Sequence, residues 1–301
     1  MIMSKTSDGR RCAFSPSLKI KLVQVEVTDS ARELERSHLC GPTAGLIQAE
    51  ALAGVALLGS ELTESQETVT LRLRVSGPLG GLLVEASREG GLRGYTQVKI
   101  MNEFDAAEEL DTSAAMGDLA EVQVIRSTMG KILSSASLDV SPVSISRSLE
   151  AYYKQSLQRQ VFVQTSALAY GSFIDSARGL LVECLPDGDH AAFKRLEELF
   201  AEGTILECLD AAASLETICS TLGLTDCAFE EVFPLSFSCR CSVERVQGML
   251  SGLPTEDLQE MLGEAGPLQI FCHMCGKGYR VEPDFVKTVL ETRSKDNDQQ
   301  K

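Results

Sequence analysis

The stretch FSCRCSVERV (237–246) places Cys239 and Cys241 one residue apart, and thirty residues later FCHMCGKGY (271–279) places Cys272 and Cys275 two residues apart. Short cysteine pairs have two ordinary uses: disulfide frameworks in small secreted domains, and metal or redox sites inside cells. The framework use does not fit. A chain of 301 residues with 44% hydrophobic content can build its own core, and its first residues, MIMSKTSDGRRCAFSPSLKIK, lack the apolar stretch of a secretory signal. That segment is basic and acid-poor, so a cleaved organelle transit peptide is the lesser alternative to a cytoplasmic chain.

Two pairs from distant turns make one four-thiolate site. Structural zinc takes four ligands in a tetrahedron and favours thiolates at about 2.3 Å. The expected metal ligands are therefore Cys239, Cys241, Cys272 and Cys275, holding one zinc ion. The Cys272-x-x-Cys275-Gly276 unit has knuckle spacing, in which backbone amides turn toward the sulfurs; the Cys239-x-Cys241 pair is tighter and less usual. A C-terminal segment of this size buries little apolar surface, so the metal is expected to hold its fold together. His273 lies between two ligands and is read as a solvated side chain. Cys12, Cys40, Cys184, Cys208, Cys219 and Cys227 have no paired spacing and are read as small buried hydrophobes.

Upstream of the cysteine pairs the pattern is mixed. Residues 20–27 (IKLVQVEV) form a strand, with Asp29 or Ser30 capping a short helix that follows. Residues 43–58 are helical and apolar around most of the circumference, which predicts burial; the stretch 44–62 is too interrupted by Gln48, Glu50 and Ser60 for a membrane span. TVTLRLRV alternates, SGPLGG (76–81) turns, and LLVEA and a strand after Gly90-Gly91 complete an antiparallel meander. No Gly-Lys-Ser/Thr follows those glycines, so a phosphate loop is the weaker reading. Strands are expected near 119–126, 161–173 and 179–185, with a helix over 148–158; 127–146 is Ser-rich and weakly patterned. Beyond Pro186 the period becomes helical.

The predicted fold is α+β: an antiparallel-sheet-rich core domain with packed helices over 1–185, a helical linker subdomain over 186–238, a small zinc-binding domain over 239–290, and a disordered tail over 291–301. The 43 acidic against 28 basic residues give a net charge of −15, which disfavours nucleic acid and anionic membranes as partners. The residues 247–267 between the pairs carry Glu256, Asp257, Glu260 and Glu264 and no Lys or Arg. That counts against a zinc-ribbon module docked on nucleic acid, leaving a protein-interaction module with a purely structural zinc as the alternative reading. A thiol oxidoreductase would place its first cysteine at a helix N-terminus, whereas Gly276, Lys277 and Gly278 favour a turn. His38 and His190 join no hydrolytic signature, so the chain is not expected to be an enzyme.

The two pairs, with the continuation Cys241-Ser242-x-Glu244-Arg245 and with SGPLGG, RGY (93–95), YYKQS (152–156) and CLPDGD (184–189), resemble the 33 kDa chaperonin family of redox-regulated heat-shock holdases. The resemblance covers most of the chain. It implies a reduced, zinc-bound, inactive state. Under oxidative stress, it further implies, Cys239 pairs with Cys241 and Cys272 with Cys275 as disulfides, zinc leaves, the terminal domain unfolds, and the linker loosens. The chain then holds unfolding client proteins without ATP, as a homodimer. It also raises the prospect that Cys208, Cys219 and Cys227, all in the linker, join further disulfides once exposed.

Overall fold

The computed structural model describes residues 8–171, 173–263 and 266–299. The chain divides into two compact units, Met1–Ser238 and Cys239–Lys301.

The first unit is α+β and built on two sheets. One runs in the order β10-β1-β2-β9-β8, from β1 (Gly9–Ser15), β2 (Ile20–Glu26), β8 (Gln160–Tyr170), β9 (Phe173–Cys184) and the two-residue β10 (Ala228–Phe229), with β11 (Phe233–Pro234) also on β1. The other runs β12-β5-β4-β3-β6-β7, from β3 (Glu67–Val75), β4 (Gly81–Ser87), β5 (Gly91–Thr96), β6 (Ala120–Thr128), β7 (Lys131–Val140) and β12 (Ser236–Phe237). The strand pairs are antiparallel except β12 on β5. The expected meander is β3-β4-β5. On β3, Val69, Leu71 and Leu73 are buried while Arg72 and Arg74 turn outward.

Helix α1 (Thr28–His38) leads into α2 (Pro42–Leu58), which starts with Pro in its first turn, where the missing N–H costs nothing. Helix α2 touches strands of both sheets and is buried at all but two of its seventeen positions. By length and composition Pro42–Glu61 is apolar enough to cross a membrane, contrary to the sequence expectation, but 89% of that window is buried inside the fold. It is a core helix that needs apolar side chains on every face because sheets lie on more than one. Short helices α3 (Asn102–Asp105) and α4 (Thr112–Met116) follow β5. Gly77 of the SGPLGG turn packs on α4 so closely that a Cβ there would stand 2.5 Å from the Ala115 carbonyl oxygen.

Helix α5 (Ile145–Ala151) continues into a π-helical turn at Tyr152–Ser156. The turn presents Tyr153, fully buried, beneath the Arg159 guanidinium at 5.1 Å. Arg159 forks between Glu183 and Glu61, donating from Nη1 to Glu61 at 2.9 Å. The charge-assisted pairs tie β8, β9 and the end of α2's extension together, and Glu61 is consequently held below the usual carboxylate range despite its burial.

The first sheet buries both faces. Val23, Val25 and Leu181 point to the α2 side, and Ile20, Leu22, Leu180 and Val182 point to a second cluster. That second cluster is closed by α6 (His190–Ala201), α7 (Thr204–Asp210) and α8 (Leu215–Thr221) through Phe193, Leu196, Ile205, Leu209, Leu215 and Ile218. These helices therefore borrow the sheet as their core. After α8 the chain is not helical: β10, β11 and β12 lay residues 228–237 along β1 and then β5, the outer strands of the two sheets.

Several expectations need correction. Asp29 and Ser30 do not cap α1; the Asp8 carboxylate accepts from the Asp29 and Ser30 amides at 2.9 and 2.7 Å, a long-range cap no local pattern reveals. Residues 9–15, read as part of a basic N-terminal segment, are strand β1. The stretch 127–146 contains the ordered strand β7, whose side chains are mostly exposed, so its ladder to β6 leaves no apolar alternation to read. The tail expected to be disordered from 291 is helical through Gln299.

Two outcomes test this account. Replacing Arg159 by Met leaves Glu183 buried without its cation and should lower unfolding stability by about 3 kcal/mol in urea. Asp226, bonded by Ser15 Oγ at 2.6 Å and the Ser17 amide at 2.9 Å, is held at about 2 against 3.8 when free. Its contribution is thus present above pH 4 and lost as pH falls toward 2. The thermal-midpoint gap between wild type and Asp226→Asn should close over that interval.

Candidate metal centre

The second unit has few apolar residues to work with. Val246, Leu250, Tyr279 and Val281 form its buried cluster, with Cys241 and Cys272 packed against them. Its elements are α9 (Val243–Leu250), α10 (Thr255–Gly263), β13 (Leu268–Phe271), β14 (Gly278–Val281) and α11 (Pro283–Gln299). Pro283 opens α11, and neither Gly nor Pro interrupts it afterwards; Arg293 fastens it by donating to the Leu253 carbonyl at 2.7 Å and to the Ser251 carbonyl.

Each cysteine pair sits at a turn that its neighbours define. Cys239 and Cys241 directly precede α9, whose N-cap is Ser242 accepting from the Arg245 amide at 3.2 Å. Glu244 lies in the positive first turn, its carboxyl lowered by the Ser242 hydrogen bond. Cys272 and Cys275 occupy the turn between β13 and β14, where Phe271 pairs with Gly278. The Cys272 amide donates to the Lys277 carbonyl at 2.9 Å, and Gly276 donates to the Cys272 carbonyl at 2.8 Å. Gly276 takes a φ of +69°, which a side chain would strain. The amides of Met274 and Lys277 point at the sulfurs of Cys272 and Cys275, the knuckle arrangement the spacing predicts.

The four sulfurs converge. All lie within 4.8 Å of one another; Cys239 Sγ is 3.8 Å from Cys272 Sγ, and Cys241 Sγ is 3.3 Å from Cys275 Sγ. A tetrahedron of thiolates around zinc has S···S edges of about 3.8 Å, given 2.3 Å bonds. The donor set therefore fits zinc in number, chemistry and spacing. Burial is the first cause that pushes the Cys272 and Cys275 thiols above the ordinary range, and Cys239 adds to both; a central cation reverses that preference and keeps thiolates. The Tyr279 hydroxyl donates to Cys241 Sγ at 2.9 Å, with Lys277 Nζ 5.4 Å from its ring. Neither supporting contact was legible from spacing. His273 is exposed and lies outside the sulfur group.

The six remaining cysteines do not join the cluster. Cys184 and Cys219 are buried, whereas Cys12, Cys40, Cys208 and Cys227 are only partly so, packing along the rims of the two larger clusters. Uniform burial was expected, and four of the six depart from it.

The sequence profile of the Hsp33 protein family matches residues 10–282, nearly the whole chain and all four cysteines. The chain belongs to the Hsp33 family. Among its curated relatives, a 33 kDa chaperonin from Thermus thermophilus is 30% identical, covering 92% of this chain and 85% of its own length. Another from Lachnoclostridium phytofermentans is 27% identical, with 90% and 93% covered. The crystal structure of the Hsp33 homolog from Thermotoga maritima superposes with a TM-score of 0.80 over 95% of this chain and 99% of that one, at 18% identity, which establishes the shared fold. This Hsp33-family chain thus takes its place among chaperones, and its relatives are named for that role and not for a catalysed reaction.

Tyr279→Phe should weaken zinc affinity about tenfold in a chelator competition, because it removes a donor to one sulfur. Cys275→Ser should abolish tight zinc binding and make 239–299 sensitive to protease while residues 9–184, strands β1 to β9 with α1 to α5, keep their resistance.

Proposed function

We infer that this chain is an ATP-independent holdase switched on by oxidation of Cys239, Cys241, Cys272 and Cys275. The observation that carries this reading is the convergence of four sulfurs, at zinc spacing, in a unit whose apolar cluster is too small to hold it otherwise. When bound, zinc supplies four thiolate bonds that join the two turns.

Hydrogen peroxide converts Cys239 with Cys241, and Cys272 with Cys275, to disulfides. Each new S–S bond passes two electrons to one peroxide, which leaves as two waters. Disulfide sulfurs carry no thiolate charge, so the ligand set is lost as a whole, zinc is released, and the staple goes with it. The segment before Cys239 is weakly held, since three two-residue strands attach 228–237 to the sheet edges. Loosening of that segment and of α6–α8 uncovers the apolar second face of the first sheet around Ile20, Leu22, Leu180 and Val182.

The β6–β7 and β8–β9 hairpins already present Met129, Ile132, Tyr170 and Phe173 to solvent, at 66–84% exposure. Such side chains suit unfolding client proteins, whose exposed segments are apolar. β7 and β8 are the last strands of their sheets, which suits a homodimer in the oxidised state. The net charge of −15 disfavours nucleic acid and anionic membranes as partners, and a thiol-based zinc switch belongs in the reducing cytoplasm.

The test compares the reduced, zinc-loaded chain with one treated with peroxide at a mildly unfolding temperature, in light scattering from a heat-aggregating client. Suppression by the oxidised sample alone, with one zinc released per chain, is the expected result. Zinc retained through oxidant while both samples stay inert would replace the switch with a protein-interaction module holding a purely structural zinc.

A further inference from the structure

The second face of the first sheet is apolar at one end and polar at the other. Along β2 it reads Ile20, Leu22, Gln24, Glu26, and along β9 Val182, Leu180, Arg178. The register sets Glu26 beside Arg178, and Arg178 beside Ser166 of β8. Glu26 accepts from Arg178 Nε at 2.5 Å, which aims the guanidinium at the end of α7, where Arg178 Nη1 donates to the Leu209 carbonyl at 3.0 Å. Gln24 Nε2 donates to the Ala213 carbonyl at 2.8 Å, and Ser166 Oγ donates to the Asp210 carboxylate. Helix α7 stops there, with Ala212 at a φ of +54° and the Ala213 amide returning to the Cys208 carbonyl at 2.9 Å. A cation at the carbonyl end of a helix also meets its negative pole. Three neighbouring strands thus grip the turn between α7 and α8 at three points.

Away from that turn, the two helices are joined to the rest of the unit through open glycines. Gly203 before α7 and Gly223 after α8 take φ of +84° and +73°, and a Cβ at either would meet nothing within 4 Å. The segments on either side are fixed independently. Phe162 of β8 stacks on Phe193 of α6 at 4.5 Å and lies 5.1 Å from Phe200, and the Asp189 amide donates to the Leu18 carbonyl at 2.9 Å. Beyond Gly223, Asp226 holds to Ser15 and Ser17. We propose that residues 204–222, helices α7 and α8, are a lid that pivots at Gly203 and Gly223 and is latched to the sheet by Gln24, Ser166 and Arg178. It opens at the latch while α6 and Asp226 stay in place.

The contacts that hold the lid resist opening unequally. Ile205, Leu209, Leu215 and Ile218 are fully buried, and the cost of returning them to water keeps the open state a minor one. The latch contacts are polar, so water replaces each at a small net loss, and opening starts at the turn they grip. The Arg11–Glu216 ion pair on α8, at 2.7 Å, is partly exposed and adds little. Helix α7 packs on β8 and β9, so an open lid uncovers that part of the sheet while the four cysteines of the metal centre are still reduced. The lid needs neither oxidant nor client and does not depend on the holdase reading.

Amide hydrogen exchange read by mass spectrometry on the full-length, reduced, zinc-loaded chain tests the lid. The variant is Gln24→Ala/Ser166→Ala, which removes two of the three grips and leaves the Arg178–Glu26 pair and the apolar contacts intact. The expected result is exchange about tenfold faster across 204–222, with 190–201 and 239–299 keeping their wild-type rates. Unchanged exchange across 204–222 overturns the proposal, because the grips then hold nothing. Equal acceleration of 190–201 and 204–222 also overturns it, because the three helices then move as one cover with no pivot at Gly203. The sample is reduced and holds no client, so a chain that fails as a holdase after oxidation leaves this exchange map as it is.

Discussion

Four sulfurs must meet at one point, and the second unit is arranged around that requirement. Between Cys241 and Cys272 the chain makes two helices and one strand, yet only a handful of side chains there are buried. Closing that long loop costs conformational entropy that so little apolar contact offsets poorly. The four converging thiols are the donor set through which a zinc ion would supply the missing stabilisation, and the contacts around them are local: the Ser242 cap, the knuckle amides and the Tyr279 hydroxyl. The chemistry that makes thiolates good ligands also makes them oxidisable. In the proposed function, one set of atoms serves both as staple and as the place where the staple is undone.

The first unit obeys a different constraint. Helix α2 has no polar face, because strands of both sheets pack on it. The sheet made of β1, β2, β8 and β9 is likewise apolar on both sides, and its second face is covered only by α6–α8. Those three helices cannot form an independent domain, since their inward residues find their partners on the sheet. What lies between α8 and Cys239 holds on through strands of two residues each. Strong attachment at the sheet and weak attachment just before the second unit are neighbours in sequence.

Legibility followed the kind of physics involved. The alternating residues of β3, the all-apolar α2 and the metal pairs were readable because their signals are local: a period, a composition, a spacing. β7 escaped because its ladder uses backbone groups and its side chains face water. The cap of α1 escaped because its carboxylate, Asp8, comes from a different part of the chain. The Arg159 fork between Glu61 and Glu183 joins residues whose nearness in space depends on strand order.

By itself, the sequence determined the four cysteines that converge, the α+β character and the family. Each of these rests on residue types at short, fixed separations, where ligand geometry and hydrophobic periodicity leave few alternatives. Only the tertiary structure decided which sheet face α6–α8 would cover and that residues 228–237 would lie along the outer strands of both sheets. Those outcomes depend on contacts between residues far apart along the chain, and such contacts exist only once the two sheets have closed on α2.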